Sequence, residues 1–267
     1  MSRIGIFDSG MGGLTVMRAL KTRLPNESFV YLGDTARLPY GTKSADTVTR
    51  YAVQAANALR THDIKLLVVA CNTASAAALP TLRERLAPLP VVGVIEPGAR
   101  AAIAAAPEGP IAVIATEGTV RGGAYVRAIQ DAAPHMPVVQ QACPLFVALA
   151  EEGLTGGEIA TLAAHRYLDP LLATMPRPRG LVLGCTHFPV LKDTIAAVAG
   201  PDVALVDSAE TTAAAVEGIL RGAGLLSEGP ARPPVFLATD APGRFAHLGE
   251  TFLGAPIDPG AVTPVDL

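Results

Sequence analysis

A chain of 267 residues, 50% hydrophobic and 17% charged, is long enough to bury one large core or two ordinary ones and too apolar to remain disordered. Its formal net charge of -3 offers no basic field to a phosphate backbone, which argues against nucleic acid as a primary partner. The opening MSRIGIFD reaches Asp8 before an apolar signal segment can form, and no later stretch offers about 18 uninterrupted apolar residues, so a cytoplasmic protein with no membrane partner is expected.

Nearly unbroken apolar runs at residues 3–7, 28–32, 65–70 and 91–94 read as strands of a buried parallel sheet, and the segments between them carry helical spacing. One helix is explicit: Val48, Tyr51, Ala52, Ala55 and Leu59 share a face, and Ser44 stands at the N-cap position. Glycine and proline then punctuate the chain at Glu96-Pro97-Gly98 and again from Pro107 to Pro110. After them the rhythm restarts with runs at 111–115, 136–139, 180–183 and 203–206. A helix-like stretch at 210–221, an apolar run at 235–238 and a Pro/Gly-rich tail remain. They are too short for a third core and are expected to pack back on one half.

The two halves resemble each other. Ile4-Gly5-Ile6-Phe7-Asp8-Ser9-Gly10 parallels Ile111-Ala112-Val113-Ile114-Ala115-Thr116-Glu117-Gly118. Leu67-Val68-Val69-Ala70-Cys71-Asn72-Thr73 parallels Leu181-Val182-Leu183-Gly184-Cys185-Thr186-His187 at a nearly equal offset. The expected fold is α/β, with two similar α/β domains, mainly parallel sheets, and the active site in the cleft between them. The first domain takes 1–96 plus the returning 208–267, and the second takes 97–207.

Three cysteines, an odd number with no short-spaced pair, argue against a disulfide framework and a zinc-type ligand set. Cys71 and Cys185 each end an apolar run and are followed at once by polar residues. Each therefore leaves the core at a strand-to-helix turn, where open α/β sheets bind their ligands. A following helix N-terminus lowers a thiol's pKa, so both are expected to supply thiolate near neutral pH. Cys143, before Pro144, lacks the polar follow-up and reads as a core residue. Asp8-Ser9-Gly10-Met11-Gly12-Gly13 follows a strand and opens a helix, so its backbone amides can face an anion. It is no dinucleotide fingerprint, because Thr15 stands where the third glycine belongs. The loop from Gly33-Asp34 to Pro39-Tyr40-Gly41 presents a tyrosine between proline and glycine.

Taken in order, these motifs, with Glu96-Pro97-Gly98, Gly184-Cys185-Thr186-His187-Phe188-Pro189 and Val206-Asp207-Ser208, resemble the bacterial glutamate racemases over roughly positions 4 to 208. The resemblance implies interconversion of L- and D-glutamate, with D-glutamate supplied to peptidoglycan synthesis. It also implies no pyridoxal phosphate, no metal and a homodimer. Residue by residue, it implies that Cys71 and Cys185 exchange protons with opposite faces of the substrate carbon, Asp8 supporting the first and His187 the second. Glu151 is carried over from a Cys-Pro-x-x-Val-Pro-x-x-Glu pattern matched by Cys143, Pro144 and Val147, with Ala148 replacing the second proline. Ser9, Tyr40, Gly41, Asn72, Thr73 and Thr186 would bind the amino acid together with Asp8, His187, Thr116 and Thr119. Gly122 stands where the family has a small polar residue before Gly-Ala-Tyr. A carboxylate beside a thiol opposes ionisation, so Asp8 is expected to orient the substrate ammonium or accept a proton rather than acidify Cys71. Two other readings compete. A non-catalytic binding module would have no use for paired exit cysteines, and an aspartate racemase would differ by one methylene of side-chain room, typically worth about 1–3 kcal/mol.

Overall fold

The computed structural model describes residues 2–267. In chain order the first half runs β1 (Arg3–Asp8), α1 (Leu14–Arg23), β2 (Phe29–Gly33), α2 (Ala45–Arg60), β3 (Ile64–Val69), α3 (Asn72–Leu86) and β4 (Val91–Gly93). Helix α4 (Ile95–Ala105) leads to β5 (Ile111–Ala115), α5 (Glu117–Gly122), α6 (Ala124–Ala132), β6 (Val138–Ala142), α7 (Pro144–Glu151) and α8 (Gly157–Leu172). Then come β7 (Gly180–Gly184), α9 (Lys192–Ala199), β8 (Ala204–Asp207), α10 (Ser208–Gly222), β9 (Val235–Ala238), α11 (Pro242–Leu253) and β10 (Val262–Pro264).

The strands form two sheets in which every pairing is parallel, ordered β10-β9-β2-β1-β3-β4 and β6-β5-β7-β8. The β2-β1-β3-β4 order of the first sheet recurs in the second, so the duplication read in the sequence extends to connectivity. In each sheet the chain winds one way from the first strand and the other way from the third. That opens a crevice beyond the carboxyl ends of β1 and β3, and of β5 and β7.

Strands β1, β2, β5 and β7 are buried almost throughout, which is why they read as unbroken apolar runs. Along β1 and β3 the side chains alternate between two cores. Ile4, Ile6, Leu66 and Val68 join a core shared with α1, whereas Phe7, Leu67 and Val69 meet α2 and α3 through Ala52, Ala55, Ala78 and Leu82. The first of these cores runs through α4 and α10 into that of the second sheet. Helix α2 starts as its sequence predicts, with the Thr47 amide donating to Ser44 Oγ at 3.3 Å and Val48, Ala52, Ala55 and Leu59 buried.

Several boundaries differ from expectation. The punctuation at Glu96-Pro97-Gly98 falls in the opening turn of α4 and not between elements, because a proline in a first turn removes an amide that has no intrahelical acceptor. Strand β6 lies at Val138–Ala142, two residues later than expected, and its half-buried edge position tolerates Gln140 and Gln141. The Pro/Gly-rich tail holds α11 and β10, and β9 pairs with β2 while β10 pairs with β9, so the tail widens the first sheet. Among the described residues no helix is long and apolar enough to cross a membrane.

Candidate active site

The loops beyond β1, β3, β5 and β7 line one cavity of about 320 Å³ between the two sheets. Cys71 and Cys185, each 5% exposed, both line it. Cys71 caps α3, its Sγ accepting from the Ala74 amide at 3.4 Å and lying 3.5 Å from Ser9 Oγ. Cys185 follows β7 directly, with its Sγ 3.9 Å from His187 Nδ1. Here the sequence reading needs correction, because Cys185 is followed by a short 3-10 turn at Phe188–Leu191 and not by an α-helix N-terminus.

The surroundings of the two sulfurs are unlike. Burial pushes the Cys71 thiol up to about 12 and the Asp8 carboxylate adds to that, outweighing the Ala74 and Ser9 hydrogen bonds. The helix-terminal acidification expected from sequence therefore does not prevail at Cys71. Beside Cys185, burial by itself would lower the pKa of His187. The hydrogen bonds to Cys185 and Glu151, together with the charges of Cys185 and Asp8, instead raise it to about 10. Glu151 Oε1 lies 3.2 Å from His187 Nε2, and that hydrogen bond leads the causes holding the Glu151 carboxyl below its usual range against the effect of burial. Its other oxygen lies 3.8 Å from Arg244 Nη2. The result is a chain of carboxylate, imidazolium and sulfur.

Asp8 is fully buried at the end of β1, and burial raises its carboxyl above the usual range despite the His187 charge and the hydrogen bonds it accepts. The Gly10 amide donates to its Oδ2 at 2.9 Å and the Thr186 hydroxyl to its Oδ1 at 3.4 Å. Thr15 adds a further link across the halves, donating to the Thr186 carbonyl at 3.1 Å. Gly12 makes this meeting possible. A Cβ there would sit 2.5 Å from both His187 Nδ1 and Thr186 Oγ1.

The opposite wall is built of hydroxyls and an amide. Thr73 Oγ1 lies 2.9 Å from Thr116 Oγ1 and 3.3 Å from Thr119 Oγ1, so a hydroxyl cluster joins α3 to the start of α5. Asn72 lines the cavity with its Oδ1 accepting from the Tyr125 hydroxyl at 2.8 Å. Gly41 lies close to the Thr116 side chain, where a Cβ would come within 2.8 Å of its Cβ. Tyr40 lines the cavity but donates its hydroxyl to buried Asp34, which also accepts from Arg37 Nε at 2.7 Å and Thr239 Oγ1 at 2.9 Å. The phenol is thus engaged away from a ligand.

Of the residues singled out from sequence, Ser9, Tyr40, Gly41, Cys71, Asn72, Thr73, Thr116, Glu151, Cys185, Thr186 and His187 line the cavity. Asp8 and Thr119 lie behind that wall, in hydrogen-bond contact with it. Cys143 is fully buried outside the cavity lining, and burial pushes its thiol up. Sequence reasoning missed Leu38, Pro39, Glu117 and Ala148 as lining residues, and Arg244 as a neighbour of Glu151. The gap left by the second proline of the family pattern was the one signal pointing toward Ala148. No local pattern marks an arginine that reaches the site from α11. Among the described residues no group of three or more His, Cys, Asp or Glu could hold a metal ion.

A cleft between duplicated parallel sheets, lined by a cysteine from each, defines an enzyme of the amino-acid racemase class, and residues 4–216 match the family model for Asp/Glu/hydantoin racemases. A glutamate racemase of Geobacter metallireducens is 53% identical over 260 residues, covering 94% of this chain and 92% of that protein. The structure of a Bacillus anthracis glutamate racemase superposes with a TM-score of 0.94 at 39% identity, covering 100% of this chain and 98% of the other. A Francisella tularensis glutamate racemase, solved in complex with D-glutamate, gives 0.91 at 36% identity over 99% and 97% of the two chains. The chain belongs to the Asp/Glu/hydantoin racemase family, and within it is similar to glutamate racemases.

Proposed function

We propose that the protein interconverts L- and D-glutamate without pyridoxal phosphate or metal, moving the α-proton between two cysteines on opposite faces of the substrate carbon. The observation that carries this reading is the pair of buried cysteines lining one cavity, one from each sheet. From L-glutamate, the Cys185 thiolate takes the α-proton and becomes a thiol, the C–H electron pair staying on carbon. The Cys71 thiol then delivers its proton to the other face and is left as thiolate, giving D-glutamate; the reverse direction starts from that state. Burial and Asp8 hold Cys71 as the proton-bearing partner, while Cys185 lies beside the His187 imidazolium, itself backed by Glu151. With no electron sink, the carbanion's charge falls on the α-carboxylate, which Asn72, Thr73 and the turn after Asp8 would meet with preorganised donors. Ser9, Gly41, Thr116 and Thr186 complete the proposed binding wall, with Tyr40 lining it while its hydroxyl is held by Asp34, and Thr119 supporting Thr116 from behind.

Francisella tularensis glutamate racemase binds D-glutamate, which supports the choice of substrate here. We assign the product to peptidoglycan synthesis in the cytoplasm, and the working form to a homodimer whose subunits divide into 1–96 with 208–267 and 97–207.

The test is optical. Pure L-glutamate incubated with reduced enzyme and no added cofactor is expected to lose its circular dichroism signal completely. Persistence of that signal while aspartate loses its own would overturn the substrate, and persistence of both would favour a binding module.

A further inference from the structure

We infer that Tyr125 is a positioning residue of the racemisation, tying the residue after Cys71 to the residue before Cys185 and holding the Asn72 amide so that Nδ2 faces the substrate carboxylate. The inference rests on the reading above that substrate lies between the two cysteines. Tyr125 sits on α6 in the second half and is fully buried. Its hydroxyl donates to Oδ1 of Asn72, the first residue of α3, across the boundary between the halves at 2.8 Å. The edge of the same ring lies against Gly184. A Cβ added to that glycine would stand 3.0 Å from Tyr125 Cε2. One rigid side chain thus touches the neighbours of both cysteines.

The amide supplies the second observation. Asn72 is 3% exposed and lines the cavity, and its Nδ2 has no hydrogen-bond partner among the described residues. A buried donor left unmet is costly, so such a group in a cavity wall points to a ligand acceptor. A phenol donating to Oδ1 leaves Nδ2 as the unmet end of the amide, and an anionic carboxylate is the acceptor an N–H donor recognises. Tyr125 itself reaches no substrate atom and acts through Asn72.

Steady-state racemisation of both enantiomers by wild-type and Tyr125→Phe enzyme tests the inference. Phenylalanine keeps the ring against Gly184 and removes only the hydroxyl. KM for both enantiomers is expected to rise about tenfold with kcat within about threefold, the signature of a lost substrate-binding contact. Asn72→Ala is expected to show a similar rise, and the double variant to be no worse than Asn72→Ala alone, because the tyrosine works through the amide. Unchanged KM in Tyr125→Phe, or full additivity in the double variant, overturns the inference, as does a lowered thermal midpoint with KM untouched. Should Tyr125→Phe fail to fold, Asn72→Asp keeps an acceptor for the phenol but loses the amide donor. The same rise in KM is expected there, and a wild-type KM overturns the inference. A wild type that leaves glutamate unracemised overturns the functional reading and this inference together, whereas an active wild type matched by Tyr125→Phe overturns this inference alone.

Discussion

His187 and Asp8 set the two thiols apart, since one brings a proton-rich ring to Cys185 and the other a carboxylate close to Cys71. Replacing either cysteine by alanine should remove one proton-transfer group outright, lowering kcat/KM by about 10²–10⁴-fold or more. Cys143→Ala should stay within a few-fold of wild type, since that thiol lies outside the cavity. Retained activity in either of the first two variants, read by the same optical assay, would remove the two-base assignment. The pH profile follows from His187. Its folded value, about 10 against an ordinary 6.5, keeps the imidazolium protonated through neutral pH. The stabilisation this gives the fold is present below the unfolded value and is lost as pH rises through about 10. The alkaline limb of kcat/KM should therefore begin with His187, before the Cys71 thiol ionises near 12, and should be read as an apparent value of coupled groups. Glu151→Gln removes one of the hydrogen bonds raising that value, so the limb should move to lower pH. A limb that stays in place would separate Glu151 from His187.

At the level of elements, the turn between β1 and α1 matters because it fits against the second half with no room to spare. Gly12→Ala would drive a methyl into His187 and Thr186, and overpacking of this kind costs about 1–3 kcal/mol. The misplaced imidazole should lower kcat/KM at least about tenfold, since small displacements of a catalytic group weigh heavily on rate. Urea unfolding and racemisation measured on the same variant check both parts, and wild-type kinetics would show that this close approach has no part in the reaction. Strand existence was readable at this scale because parallel strands covered on both faces are apolar at every position, as in 111–115 and 235–238. Helix α11 and strand β10 were not readable. The first lacks a capping side chain, with Ala241 at its N-cap, and Thr263 and Pro264 of the second are exposed on an edge strand three residues long.

For the molecule as a whole, the proposed site takes one cysteine from each half, and racemisation constrains how their roles can be measured. The enantiomers have equal free energy in water, so kcat/KM must be equal in both directions for every variant, and rates alone cannot say which cysteine faces which enantiomer. Isotopes can. With Cys185→Ser, proton removal from L-glutamate should become the slower transfer, so α-deuterated L-glutamate should show the larger primary isotope effect. Cys71→Ser should show the larger effect with the D form. The inverted pattern, or the same enantiomer favoured by both variants, would reverse or remove the assignment of faces.

The amino-acid sequence by itself determined the alternation of strands and helices, the duplication, and the exit of Cys71 and Cys185 from strand ends. These are local properties, carried by periodicity and by the switch from apolar to polar at one residue. Tertiary structure decided the rest, because it depends on what approaches from far along the chain. Asp8 and burial overrule the helix terminus at Cys71, Asp34 takes the Tyr40 hydroxyl, Arg244 arrives from α11 beside Glu151, and Tyr125 reaches across to Asn72. Charge, desolvation and hydrogen-bond partners act through space, so residues distant in the chain set the chemistry of residues whose positions were already legible.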